Sequence, residues 1–86
     1  MPEIARFYGI EIRMYPNDHN PPHFHAIYGE HEATFIISPF GLDDGWLPAR
    51  CSALVCEWAI KNETALLQSW NEVRIGRKPA KIAPLD

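Results

Sequence analysis

This 86-residue sequence has only two cysteines, and they form no recognisable motif. Cys51 and Cys56 make neither a CxxC pair nor a multi-cysteine framework, so we interpret them as reduced, partly buried apolar residues. Long apolar runs are also missing, because no stretch of about 18 apolar residues is present to cross a membrane. These absences predict a soluble cytoplasmic protein with no disulfide and no membrane association.

Positive charge is scarce as well. Eight Lys and Arg residues stand against eleven Asp and Glu, and the net charge of -3 gives no general field for binding nucleic-acid phosphates. The cations of the C-terminal end are grouped in Arg74, Arg77, Lys78 and Lys81. We interpret this group as a solvated helix end that complements the helix dipole, with a local basic patch as the alternative.

The remaining composition is that of a folded domain. Apolar residues make up 47% of the chain, which is enough to bury a core and argues against disorder. A chain of this length forms one domain, residues 1–86. Such a small domain buries only about 60% of its unfolded surface, so we expect a bound ion or a homo-oligomer to add stability.

Three strands are predicted in the first half of the chain. Residues 8–15 alternate apolar and polar side chains with a period of two, whereas residues 16–22 are rich in turn formers. Aromatic and β-branched residues return in residues 23–28 and again in residues 32–38. The intervening Gly29-Glu30 suits a type II′ turn, which predicts a hairpin.

The second half is predicted to be helical. Residues 39–47 form a turn-rich connection, after which apolar side chains recur at helical spacing in residues 48–61 and 63–75. Gly76 is a natural helix stop, and the prolines beyond it predict an extended tail, residues 77–86. The predicted architecture is α+β: a three-stranded antiparallel sheet (β-β-β, residues 1–38 with a His-Pro loop) packs one face on two C-terminal helices, a helical hairpin of residues 48–76.

The hairpin register decides which side chains the helices leave uncovered. If Tyr28 pairs with His31, then Phe24 pairs with Phe35 and both face the helices. The opposite face then collects polar and titratable groups by register alone. They are Glu11, Arg13, Tyr15, His23, His25, Glu32 and Thr34.

Three of the four histidines lie between Asp18 and His25, around the Pro21-Pro22 pair. Imidazole and carboxylate groups suit zinc, nickel or a similar ion, and His23 and His25 project from the same side of a strand. One hypothesis is therefore a divalent transition-metal site made by His19, His23 and His25, with Asp18 as a further ligand. The spacing matches no standard zinc signature.

Two other hypotheses use the same surface. In a metal-free ribonuclease, His23 and His25 would be the acid-base pair, Arg13 would stabilise the phosphorane and Tyr15 would assist. The function that we favour from the sequence is an interaction module without chemistry, in which the open sheet face or an edge strand binds a partner protein and the cluster of His19, His23 and His25 is the functional surface. The apolar contacts of that module would come from Tyr15, Ile27, Ile36 and Phe40.

The run Asn17-Asp18-His19-Asn20-Pro21-Pro22-His23-Phe24-His25-Ala26 resembles the hallmark of the DUF4160 family, a domain of unknown function. The resemblance extends over nearly the whole chain. It includes Met1-Pro2-Glu3-Ile4, Phe7-Tyr8-Gly9-Ile10, Ile12-Arg13-Met14-Tyr15, Leu47-Pro48, Glu57-Trp58-Ala59, Trp70, Gly76 and Pro79. It implies a bacterial cytoplasmic protein, often encoded beside another small protein in a toxin-antitoxin-like pair, and hence a protein partner. The family has no assigned chemistry, so no catalytic residue is carried over.

Overall fold

The computed structural model describes residues 3–86 as an α+β fold with a five-stranded antiparallel sheet, so the α+β prediction is confirmed and the predicted three strands are wrong. The strands lie side by side in chain order, each antiparallel to the next. They are β1 (Glu3–Phe7), β2 (Ile10–Arg13), β3 (His23–Tyr28), β4 (His31–Ile36) and β5 (Gly41–Gly45), followed by α1 (Ala49–Lys61) and α2 (Glu63–Arg74). Met1 and Pro2, which belong to the predicted sheet region, lie outside the described residues.

β1 does not show the alternation by which a strand is predicted. The register against β2 shifts between Glu3 and Ala5, and this bulge lets the adjacent Ile4 and Ala5 both be buried. Tyr8 and Gly9 then turn the chain into β2 with φ values of 50° and 80°, as a two-residue type I′ turn requires. The first predicted strand, residues 8–15, is thereby shortened at its start.

β5 lies within the segment that was predicted to be a connection, residues 39–47. Its sequence, Gly-Leu-Asp-Asp-Gly, is composed mainly of residues that are depleted in strands, so propensity could not reveal it. Pairing with β4 determines the conformation instead, and Gly45 is central to it. A Cβ on Gly45 would clash with the carbonyl oxygen of Glu32, and the Gly45 φ of 81° is left-handed.

The central hairpin has the predicted register. Tyr28 pairs with His31 and Phe24 with Phe35, and of the two turn residues only Gly29 has a positive φ, as expected for type II′. Tyr28, at the end of β3, is 38% exposed, but six other inward side chains of β2, β3 and β4 are buried. They are Ile10, Ile12, Phe24, Ala26, Ala33 and Phe35.

The two helices cover that buried face. Trp58 of α1 packs against Phe7 and Phe24 with ring centroids 5.1 and 6.0 Å away. α2 ends in a Schellman motif, in which the N–H of Gly76 donates to Val73 and that of Arg77 donates to Glu72. The helical part of the core consists of Cys51, Val55, Trp58, Ala59, Leu66, Trp70 and Val73.

The extended C-terminal segment docks on the domain. The N–H of Ile82 donates to the carbonyl of Ile4, and the Trp58 indole N–H donates to the carbonyl of Ala83, at 2.9 Å each. Pro79 is buried, and Lys81 pairs with Glu3. The tail therefore occupies part of the outer edge of β1. Neither helix within residues 3–86 has the length and apolar character needed to traverse a membrane.

Candidate metal centre

Three of the residues proposed as metal ligands come together at the start of β3. Asp18, His23 and His25 each offer a ligand atom within 4.8 Å of the others. The two histidines alternate with the buried Phe24, so β3 projects both imidazoles from the same side. Asp18 reaches them from the preceding loop, whose turn is closed by a hydrogen bond from the Asp18 N–H to the Tyr15 carbonyl.

The His23 ring has a defined orientation. Its Nδ1 lies 2.8 Å from the carbonyl oxygen of Pro21. A carbonyl only accepts, so Nδ1 carries hydrogen and donates, and in the neutral imidazole the lone pair belongs to Nε2. That Nε2 lies 3.2 Å from Asp18 Oδ2.

The His25 ring lies between two carboxylates. Its Nδ1 is 3.1 Å from Glu32 Oε2, with the Thr34 hydroxyl at 3.5 Å, and its Nε2 is 2.9 Å from Asp18 Oδ2. With Nδ1–H donating to Glu32, the neutral ring also presents its Nε2 lone pair to Asp18. The Nε2 atoms of both histidines therefore converge on the same carboxylate oxygen.

Either protons or a metal ion can satisfy these contacts: imidazolium rings would donate to Asp18, whereas neutral rings and the carboxylate would share a cation. The distances of 3.2 and 2.9 Å suit both, because they are hydrogen-bond lengths and also about the separation of two ligands that bind one zinc ion at about 2.0–2.1 Å. The outer contacts are those expected around a metal site. Histidine ligands ordinarily donate their second N–H to a carbonyl or a carboxylate, here those of Pro21 and Glu32.

The cluster is accessible from solvent. The side chains of His23 and His25 are each 15% exposed, and that of Asp18 is 21% exposed. His23 lies at the end of the sheet, where its ring is 5.0 Å from that of Trp70 in α2, and the edge-on ring of Tyr15 is 4.6 Å from His25. Two aromatic rings thus flank the pair of imidazoles, while each side chain of the cluster keeps part of its surface in solvent.

The structure separates two other predicted residues from the ligand group. His19 is exposed and is not part of the cluster formed by Asp18, His23 and His25. Arg13 lies opposite His25 in the β2–β3 ladder, but its guanidinium pairs with Glu11. That hydrogen bond raises the pKa of Arg13 and compensates its charge. A ribonuclease mechanism would require Arg13 to exchange this partner for the phosphorane.

Two groups that orient the rings were not assigned a role from sequence. The sequence pattern puts Glu32 on the correct face but does not identify it as a partner of His25, although Glu32 lies two residues from Thr34, which pairs with His25. Such diagonal positions on one face are within reach of long side chains, and this spacing is the signal that could have identified Glu32. The Pro21 carbonyl left no such signal, since a backbone acceptor depends only on the path of the loop.

Comparisons with known proteins bear on the family alone. A protein-family model described as a domain of unknown function, DUF4160, matches residues 9–71. This range contains the complete cluster and the segment through Trp70. No curated protein and no solved structure gives a match.

Proposed function

Because the chain belongs to the DUF4160 family, a domain of unknown function, we propose a function from the site itself: the protein binds a divalent transition metal ion through Asp18, His23 and His25. One observation carries the proposal. Two Nε2 atoms face the same Asp18 oxygen while both Nδ1 atoms are engaged by acceptors. Zinc or nickel suits two imidazoles and a carboxylate, and three protein ligands leave coordination positions open for a solute.

The decisive experiment is a metal titration of protein purified without a histidine tag. We expect one equivalent of zinc or nickel to bind in isothermal titration calorimetry. His23→Ala, His25→Ala and Asp18→Asn should each abolish stoichiometric binding, because each removes a ligand.

The chain supplies matched controls among its own histidines. His31 lies in the hairpin beside Trp46, and His19 is exposed outside the cluster, so His31→Ala and His19→Ala should bind one equivalent. The proposal is wrong if the wild type binds no metal, or if the control variants lose the ion as completely as the ligand variants do.

A second candidate function, recognition of a protein partner, is supported by the two edges of the sheet. β1 has its edge partly occupied by the tail, whereas the outer edge of β5 pairs with no strand among residues 3–86. Leu42 and Trp46 beside it are 58% and 60% exposed. An unpaired edge is a template for strand addition, and Asp43 and Asp44 favour an extended, basic segment as the added strand.

This candidate is tested with the protein encoded beside it, the partner that the family resemblance implies. The two chains are co-expressed and the complex is measured by size-exclusion chromatography with light scattering. Leu42→Asp and Trp46→Ala should dissolve the complex, while Ile60→Ala, at an exposed site on α1, should not. A complex that all three variants leave unchanged would show that β5 is not the interface.

A further inference from the structure

The ring of Trp70 contacts both a cation, Arg74, and a residue of the candidate metal centre, His23. The Arg74 guanidinium carbon lies 5.5 Å from the ring centre of Trp70, and the same ring packs 5.0 Å from that of His23. Arg74 and Trp70 both belong to α2, where positions 70 and 74 are neighbours on one face. α2 thus places a guanidinium over Trp70, whose ring in turn packs against that of His23.

Arg74 differs from the other arginines near the sheet. Arg6 and Arg13 both pair with Glu11, whereas Arg74 forms no ion pair within residues 3–86. It is also exposed, so its long side chain can turn towards a solute. Its charge is therefore available for an anionic ligand.

The charge balance of the site calls for such a cation. A divalent ion would be offset by the carboxylate of Asp18 and by that of Glu32 on His25, so the loaded centre alone attracts an anion only weakly. A guanidinium adds the missing positive charge and binds two oxygens at once through its fork. An open coordination position on the metal ion can bind a third oxygen.

The number of oxygens favours a phosphoryl group over a carboxylate. A phosphoryl group has three terminal oxygens, one for the metal and two for the guanidinium, whereas a carboxylate has only two in total. We infer that the metal-loaded site binds the phosphate monoester of a small molecule, with Arg74 as the phosphate clamp. The inference rests on the proposed metal site. A nucleic acid is disfavoured because the same sheet face carries Glu3, Glu11 and Glu32, and the chain has a net charge of -3.

Phenyl phosphate is the probe, titrated calorimetrically into zinc-loaded and metal-free protein. We expect binding to the loaded form that weakens about tenfold in Arg74→Gln, as is typical when a charge-assisted hydrogen-bonded pair is lost. Arg77→Gln is the matched control, because Arg77 is an exposed arginine just beyond α2 whose guanidinium does not lie over Trp70. It should leave the affinity unchanged. Benzoate, with two oxygens, should bind the wild type about tenfold more weakly than phenyl phosphate does.

The outcomes separate this inference from the metal proposal. If zinc itself does not bind, both the metal proposal and the phosphate inference are wrong. If zinc binds to the wild type and to Arg74→Gln, the metal proposal is supported, and the phenyl phosphate titrations then test the phosphate inference by itself. The phosphate inference is wrong if phenyl phosphate does not bind, or if it binds metal-free and zinc-loaded protein equally well. It is also wrong if benzoate binds as tightly as phenyl phosphate, or if Arg74→Gln and Arg77→Gln have equal effects. Tighter binding of a short single-stranded RNA than of phenyl phosphate would also overturn it, in favour of a nucleic-acid site.

Discussion

The two sides of β3 show how one short strand serves two purposes. Phe24 and Ala26 point towards the helices and are fully buried, while His23 and His25 lie on the alternate side and stay partly exposed, although the His23 ring also packs against Trp70 at the end of the sheet. Apolar groups on the first side gain free energy simply by leaving water, and they need no specific partner. The imidazoles on the second side need acceptors and ligands at defined distances, and the structure surrounds them with carboxylates and a carbonyl. We therefore expect substitutions of the inward residues of β3 to reduce stability, and substitutions of the alternating outward residues to reduce metal binding.

The largest effect is expected on the inward side. Phe24→Ala removes a fully buried ring that contacts Phe35 and Trp58, so the free energy of unfolding should fall by about 3–5 kcal/mol. Urea denaturation followed by tryptophan fluorescence measures the change. Leu42→Ala, at a side chain 58% exposed, is the control and should change stability by less than about 0.5 kcal/mol. Equal effects of the two substitutions would contradict the assigned core.

On the outward side, the contribution of His25 to stability should depend on bound metal. At a free zinc concentration about 100-fold above Kd, linkage predicts a gain of about 2.7 kcal/mol in the unfolding free energy of the wild type. His25→Ala should lose this gain, because it lacks a ligand, whereas His31→Ala should keep it. Denaturation curves with zinc and with chelator measure both values. A zinc-dependent gain that survives in His25→Ala would break the division between the two sides of β3.

A smaller effect is expected from the group that orients a ligand without binding the metal. Glu32 accepts from His25 Nδ1, so Glu32→Ala should weaken zinc affinity by about tenfold. Glu32→Gln retains an acceptor oxygen and should recover part of the loss. Glu30→Ala alters a neighbouring acid in the hairpin turn and should have no effect. Zinc titrations of these variants test a positioning role, and identical losses in Glu32→Ala and Glu32→Gln would instead assign the effect to charge.

The parts of the structure that follow from local pattern were predictable from sequence. The hairpin register followed from Gly29 and from alternation, and it placed His23 and His25 opposite the buried side chains. β1 and β5 were missed for physical reasons. A bulge removes the period of two from β1, and tertiary pairing overrides the weak strand propensity of β5. The histidine cluster was visible as composition, but the exposure of His19 depends on the path of the proline loop.

The smallest effect concerns the other end of the sheet, where the docked tail meets β1. The hydrogen bond from Lys81 holds the pKa of Glu3 below its ordinary value, and Arg6 adds to the shift. A lowered carboxyl pKa in the folded state stabilises the protein above the unfolded pKa, and this contribution is lost as the pH falls through the folded pKa.

Lys81→Met should therefore raise the Glu3 pKa in an NMR titration and slightly reduce stability near neutral pH. Lys78→Met removes a cation that does not pair with Glu3, so it should not shift the Glu3 pKa. Because Glu3 lies at the β1 edge, away from the ligand atoms, zinc affinity should be the same in both variants, and a loss of zinc binding in Lys81→Met would mean that the docked tail also supports the metal centre.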